Sequence, residues 1–268
     1  MTLLIKKRLY EKKFFEPFVG TGNLVFAYLA VCAEFGFTKE EYVQLINNIF
    51  VCDINKEALQ IYRRNLEMFV REIFDIELQD SYFENNIGSG LLFDVNSADI
   101  QYISLEDVFS KDIIGNGFDI IVTNPPYKNL KAEKGQYKNE KDFTSDKERY
   151  ERISSLVVPL FKYSTTGILN IYKLFVEEII ERYIAPNGVS SLLIPSSILS
   201  DKTCSKLRTY ILNNCNVKSI RLIEETSPFV LSSQALCSIL FHKGECTKTI
   251  KVDGSFNGDI KQGLFRLF

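Results

Sequence analysis

The run Asn124-Pro125-Pro126-Tyr127 brings together the residue types needed to grip a planar amino group. It follows Phe118-Asp119-Ile120-Ile121-Val122-Thr123, whose β-branched and aromatic residues predict a buried parallel strand. Neither proline can continue that strand, because each lacks an N–H and has its φ fixed by the ring. The chain must leave the sheet in a stiff, extended turn at a strand's carboxyl end, the edge where open α/β sheets bind ligands. There Asn124 offers a carboxamide oxygen, Pro125 a carbonyl with no local donor competing for it, and Tyr127 an aromatic face. Two acceptors suit the two N–H bonds of an exocyclic amino group, and the ring suits a flat base.

A second set of residues lies upstream. Glu16-Pro17-Phe18-Val19-Gly20-Thr21-Gly22-Asn23 falls where a first strand turns into a helix, and its glycines permit close backbone approach by a ligand. A nicotinamide fingerprint would put a third glycine three positions after Gly22; Val25 stands there, which counts against that cofactor. Asp53 ends the second predicted strand, placed to take both hydroxyls of a ribose. Asp107 follows the third, placed either to accept from an adenine amino group, with Val108 or Phe109 on the ring, or to stand as a solvated loop carboxylate or a helix cap. Glu16 is placed to hold a cationic amino-acid head. Three acids at the ends of three strands, in register with a G-x-G turn, favour a shared ligand over three separate surface carboxylates.

These residues need a frame. Lys12 to Phe18 reads as the first strand, Asn23 to Phe37 as a largely apolar helix, and Thr38 to Asn47 as a short helix with Thr38 and Glu41 in capping-box spacing. Asn48 to Cys52 is a second buried strand. Asn55 to Glu72 is a second long helix, with Ala58, Leu59, Tyr62, Leu66, Phe69, Val70 and Ile73 at helical spacing. Glu77 to Ser97 reads as an irregular insertion and Ile100 to Ile103 as a short third strand. Lys128 to Arg152 holds eight Lys/Arg against six Asp/Glu with almost no aliphatic residues, which predicts a long polar loop or lid. Then follow a helix over Asn170 to Ile184, a strand over Val189 to Ile194, a helix over Ser200 to Asn213, and strands over Val217 to Glu224 and Ala235 to Phe241, with a further one at Lys248 to Val252. Strand–helix alternation implies right-handed crossovers and a mostly parallel sheet, while the closing strands without a helix between them fit an antiparallel edge.

Bulk properties narrow the function class. Hydrophobic residues make up 46% of the 268, enough for a substantial core. No apolar run is long enough to cross a membrane, and Met1 to Lys13 lack a signal-peptide core, so a cytoplasmic location is expected. Six cysteines without a C-x-x-C pair, and one histidine, give no zinc-ligand spacing, so no metal is expected. The net charge of −2 carries no global basic field, so nucleic-acid binding would come from a local patch or a partner.

Taken together, the E-P-F-V-G-T-G-N turn, Asp53, Asp107-Val108-Phe109 and N-P-P-Y resemble a class I S-adenosylmethionine-dependent methyltransferase, specifically the DNA adenine-N6 group of restriction–modification systems. Asn170-Ile171-Tyr172-Lys173-Leu174-Phe175 is similar to the family's N-L-Y-x-x-F helix. Pro186-Asn187-Gly188 through Pro195-Ser196-Ser197 is similar to its P-G-G strand and turn. The resemblance implies a Rossmann-like α/β fold, a mostly parallel seven-stranded sheet with an antiparallel edge strand and helices on both faces. It implies S-adenosylmethionine held by Glu16, Pro17, Phe18, Gly20, Gly22, Asn23, Asp53, Ile54, Asp107, Val108 and Asn124. Asn124, Pro125, Pro126 and Tyr127 would act on an adenine flipped out of DNA, and Tyr127 and Phe229 would stack on it. The expected enzyme is an adenine-specific DNA methyltransferase. The same chemistry on RNA adenine, cytosine N4 or a protein glutamine amide stays open, as does a non-catalytic subunit that binds DNA or a partner. The upstream segment with Thr-Pro that the family places over the methionine end has no counterpart. The expected organisation is a single catalytic domain over 1–268, with residues 128–166 as the loop or lid; either the chain is a catalytic fragment or a separate chain reads DNA sequence.

Overall fold

The computed structural model describes residues 8–95, 97, 99–224, 234–256 and 259–266. These fall into two compact units, one built from the chain up to Leu91 together with Ile103–Thr123, the other from Leu92–Tyr102 and the chain from Asn124 onward.

The first unit is a four-stranded parallel sheet with helices between its strands. Strands β1 (Phe14–Glu16), β2 (Ile49–Cys52), β3 (Ile87–Gly88) and β4 (Phe118–Thr123) lie in the order β3-β2-β1-β4. Phe14 pairs with Ile49 on one side and with Ile120 on the other, so the carboxyl ends of β1, β2 and β4 emerge together. Helix α1 (Asn23–Ala33) follows the glycine turn. The predicted capping box starts α2 (Lys39–Asn47), with the Thr38 hydroxyl accepting from Glu41 N–H and the Glu41 carboxylate accepting from Thr38 N–H. Helix α3 (Lys56–Phe74) is capped by Asn55 and buries Tyr62, Leu66 and Val70 at the predicted spacing, against Val25 and Leu29 of α1 and the β1 and β2 side chains; Phe74 is buried at its end in place of the expected Ile73, which is exposed.

The third strand departs from the sequence reading. It lies inside the expected irregular insertion, after helix α4 (Asp80–Asn86), and residues 100–103 form no strand. The Asn86 carboxamide donates to the carbonyls of Asn47 (2.8 Å) and Ile49 (2.9 Å), which fixes the chain beside β2. A strand of two residues offers no periodicity to read. Gly88 is required there: a Cβ on it would fall 2.1 Å from Val108 Cγ1. Helix α5 (Lys111–Ile114) then leads into β4.

The second unit is built around an antiparallel core. Strand β5 (Ile184–Pro195) pairs antiparallel with β7 (Leu236–Lys243), which pairs antiparallel with β6 (Cys215–Ile223). Strand β8 (Thr249–Phe256) joins β6 in parallel, and β9 (Asp259–Arg266) closes antiparallel on β8. The described residues thus hold nine strands rather than seven, the extra ones being β8 and β9 beyond the antiparallel pair. The segment expected as polar loop contains an 18-residue helix, α6 (Glu140–Val157), capped by Asn139. Tyr150, Ile153 and Val157 form its narrow buried stripe, which the surrounding charges mask in the sequence. Helix α7 (Ile171–Glu178) is buried along its whole length and runs into a π turn over Ile179–Tyr183. Its Glu177 accepts from the backbone N–H groups of Lys162, Tyr163 and Ser164, tying that loop to the helix. Helix α8 (Ser205–Asn214) precedes β6. No helix among the described residues is long and apolar enough to cross a membrane.

Candidate active site

In the first unit, the turn after β1 is held by the tip of β2. Val19 N–H donates to Cys52 O (2.9 Å), and the Asp53 carboxylate accepts from Gly20 N–H through one oxygen (2.8 Å) and from Asn55 N–H through the other (2.8 Å). Gly22 caps α1 at φ +103°, where a Cβ would lie 2.5 Å from the Phe26 ring and 2.7 Å from that of Tyr62. Gly20, at φ +52°, would meet nothing within 4 Å, so its face of the turn is open to a ligand. Pro17 is buried and Phe18 half-buried, while Asn23 is exposed at the start of α1.

Glu16 carries the clearest sign of a missing partner. It is 1% exposed, and its Oε1 accepts from Phe18 N–H at 3.3 Å, but its Oε2 is buried with no hydrogen bond. The Thr123 hydroxyl, at the end of β4, is buried near enough to act on the Glu16 carboxyl but makes no well-aligned hydrogen bond. Burial pushes the Glu16 carboxyl well above the usual carboxylate range; Thr123 and Phe18 N–H partly oppose this and the nearby Asp53 charge adds to it. An orphaned carboxylate oxygen beside an open glycine turn fits a ligand ammonium group. Ile54, next to Asp53, is 49% exposed with Gly90 packed against it: a Cβ on Gly90 would sit 2.8 Å from Ile54 Cβ. The residues present therefore fit an amino-acid-bearing nucleoside such as S-adenosylmethionine.

Asp107 and its neighbours sit otherwise than their sequence position implied. Because the third strand is β3, the residues leaving its carboxyl end are Ser89 and Gly90, and Asp107 lies on a short 3-10 turn. Its exposed carboxylate accepts from the N–H (2.8 Å) and hydroxyl (2.7 Å) of Ser104, which holds it below the usual range. This is a capping role, made on a 3-10 turn rather than on an α-helix. Val108 reaches the end of β3 at Gly88, whereas Phe109 is buried edge-on to Phe15 and Phe50 and belongs to the core.

In the second unit, Asn124 is exposed and Pro125 buried, with Pro126 exposed and Tyr127 half-buried. The Tyr127 hydroxyl contacts Asn124 Oδ1 and donates to Leu193 O of β5 at 2.9 Å. With one proton and two acceptors, it can serve only one of them fully at a time. Its ring stands edge-on to Tyr172, with centroids 6.3 Å apart at 87°, and burial raises the phenol's pKa. Phe229 lies outside the described residues. The loop lysines stay at the surface: Lys131 pairs with Glu133 (3.5 Å) and Lys134 with Glu140 (3.3 Å).

One residue of this loop's support, Asn170, opens the N-L-Y-x-x-F-like helix in the sequence but is given no role there. Asn170 is 7% exposed; its carboxamide nitrogen donates to Asn129 Oδ1 (2.7 Å) and Tyr127 O (3.4 Å), and its oxygen accepts from Tyr172 N–H (3.1 Å). Asparagine immediately before an apolar helix signals a cap in sequence; its second set of bonds does not show there.

Comparison with known proteins extends this geometry. A sequence comparison with the curated proteins finds no match. Among solved structures, the chain is similar to the type ISP restriction-modification enzyme LlaGI in complex with a DNA substrate mimic (TM-score 0.65, 16% identity, 94% of this chain and 22% of that one). It is also similar to the M protein of the type I restriction enzyme EcoKI (0.57, 14%, 94% and 47%). A third is a protein from Listeria monocytogenes assigned to the class I S-adenosylmethionine-dependent methyltransferases (0.50, 14%, 94% and 62%). At these identities the likeness shows the fold, and the chain spans less than half of the EcoKI M protein. The α/β architecture is thus that of class I methyltransferases. The sequence profile of the Eco57I restriction-modification methylases matches residues 47–229, a span running from β2 through the Asn124 loop and well over half of the chain. On that match, the chain belongs to the Eco57I restriction-modification methylase family.

Proposed function

We propose that the chain transfers a methyl group from S-adenosylmethionine to the N6 amino group of adenine in DNA. The observation that carries this reading is the Asn124 carboxamide, exposed on a proline-stiffened turn immediately after β4 in a chain of the methylase family. Glu16 would hold the cofactor's ammonium through its orphaned Oε2, and Asp53 its ribose hydroxyls. Gly20 would admit it without a side chain in the way, with Ile54 and Val108 beside the adenine ring. Bound there, the cofactor supplies an electrophilic methyl on a sulfonium centre.

Asn124 Oδ1 and the Pro125 carbonyl would accept the two hydrogens of the target amino group, drawing its nitrogen toward tetrahedral geometry and freeing its lone pair for in-line attack on the methyl carbon; the carbon–sulfur bond would break to leave S-adenosylhomocysteine, and the methylated nitrogen would then release one proton to solvent. These hydrogen bonds strengthen as positive charge develops on nitrogen, so they lower the barrier rather than merely bind substrate. Reaching the base requires extruding it from the duplex, and stacking on Tyr127, worth roughly 1–3 kcal/mol, would offset part of the unstacking cost. Asn124→Ala should abolish methyl transfer while leaving cofactor affinity unchanged. Labelled cofactor and separate pools of unmethylated DNA, RNA and protein read this directly. Label in RNA or protein alone, or on cytosine, would overturn the adenine-DNA assignment.

A further inference from the structure

We propose that Asn170 is a positioning residue for the Asn124–Tyr127 turn, acting through the turn's exit rather than touching substrate. This rests on the amino-methylation reading above, although its physical core can be tested without it.

The turn has two ends. Its entry follows directly on β4, so Asn124 inherits the order of a sheet strand. Its exit has no strand to continue into, since residues 128–133 carry no helix or strand. What fixes the exit is a short antiparallel clip to the residues just before α7. Leu130 N–H donates to Leu169 O (2.8 Å), Ile171 N–H donates to Lys128 O (3.1 Å), and Asn129 and Asn170 form the bridge between them. Asn170 lies at its centre with every polar side-chain atom engaged. Its oxygen caps α7 at Tyr172 N–H, and its nitrogen reaches across to Asn129 Oδ1 and Tyr127 O. One buried carboxamide thereby joins a helix end to the backbone of the residue that carries the stacking ring.

The consequence concerns geometry. Pro125 and Pro126 make the turn stiff, so a shift at Tyr127 is carried back to Asn124 instead of being absorbed between them. In-line transfer tolerates little displacement: a misplacement on the order of 1 Å can cost about 100-fold in rate. Aspartate would be a poor probe, because Asn129 can flip its amide and donate to it. Serine is the clean one. It caps a helix about as well as asparagine but is too short to reach Asn129 or Tyr127.

Asn170→Ser should lower kcat by roughly tenfold or more, leave KM for S-adenosylmethionine unchanged, and hold the unfolding midpoint near wild type. Asn170→Ala, which also loses the cap, should show the same kcat defect with a lower midpoint. Hydrogen exchange of the amides at Leu130 and Ile171 should quicken in Asn170→Ser while amides of β1 and α1 keep their rates. A serine variant with wild-type kcat and unchanged exchange at those amides would overturn the proposal. If wild-type protein labels no nucleic acid or protein, the function reading fails, but the exchange measurement still decides the tether.

Discussion

At the scale of single residues, the Tyr127 hydroxyl and the Glu16 carboxyl carry the most information. Tyr127 was singled out as a stacking ring, yet its hydroxyl bonds Asn124 and Leu193. If the ring alone matters, Tyr127→Phe should match wild type and Tyr127→Ala should lose substrate affinity. If the hydroxyl also orients Asn124, the phenylalanine variant should lose kcat at unchanged KM, by about fivefold for one hydrogen bond of roughly 1 kcal/mol. Steady-state kinetics on an adenine-containing duplex separates the two. Glu16 gives a pH prediction with a definite sign. Its folded-state carboxyl titrates well above the unfolded value, so between those two values the folded chain binds more protons than the unfolded one. Stability contributed by neutral Glu16 is therefore present at low pH and is lost as pH rises from the ordinary carboxylate range through the raised value. Cofactor affinity should run the other way, rising across the same window as the carboxylate forms to meet the ammonium. Glu16→Gln should flatten both profiles and weaken cofactor binding, as read by denaturant titration and calorimetry across pH. A sloping stability profile that survives Glu16→Gln would assign it to another group.

At the scale of elements, the turn glycines set the limits of substitution. Gly22→Ala combines a left-handed φ with a Cβ driven into two rings, and Gly88→Ala drives a Cβ into Val108. Each should cost about 1–3 kcal/mol of stability and lower cofactor affinity, measured by urea midpoints and calorimetry. Gly20→Ala, strained but unobstructed, should cost less stability, and an equal loss for Gly20 and Gly22 would contradict the packing account. The same elements show what sequence could and could not disclose. The Thr38–Glu41 box, the stripe of Tyr62, Leu66 and Val70, and the proline break after Thr123 were legible because each is local chemistry with a short period. The two-residue β3 was not, since its place depends on the Asn86 carboxamide bonding carbonyls 39 and 37 residues away. Helix α6 was obscured differently, by a buried stripe of three residues within a charged run. Missing β3 also misplaced Asp107, because the reading tied a carboxylate to the end of a strand that forms elsewhere.

At the scale of the whole molecule, the residues proposed to hold the cofactor, from Glu16 to Val108, precede β4 along the chain, while Asn124, Pro125, Pro126 and Tyr127 follow it. This makes binding and turnover separable by mutation. A ligand that binds only the folded state adds about 2.7 kcal/mol at one hundred times its Kd, enough to move an unfolding midpoint by several degrees. S-adenosylhomocysteine should raise the midpoint of wild type and of Asn124→Ala equally. Asp53→Ala should lose much of that rise: removing a carboxylate that accepts ribose hydroxyls forfeits about 1.5–3 kcal/mol, or roughly tenfold to a hundredfold in affinity. Asp53 also ties Gly20 to β2, so its own unliganded midpoint must serve as the baseline. The net charge of −2 adds a second axis, because a chain without a basic field should hold DNA weakly and lose it as salt increases. Added salt should thus depress turnover through the DNA KM while leaving the S-adenosylhomocysteine shift in place. A midpoint shift that collapses in Asn124→Ala, or survives intact in Asp53→Ala, would contradict this division of labour.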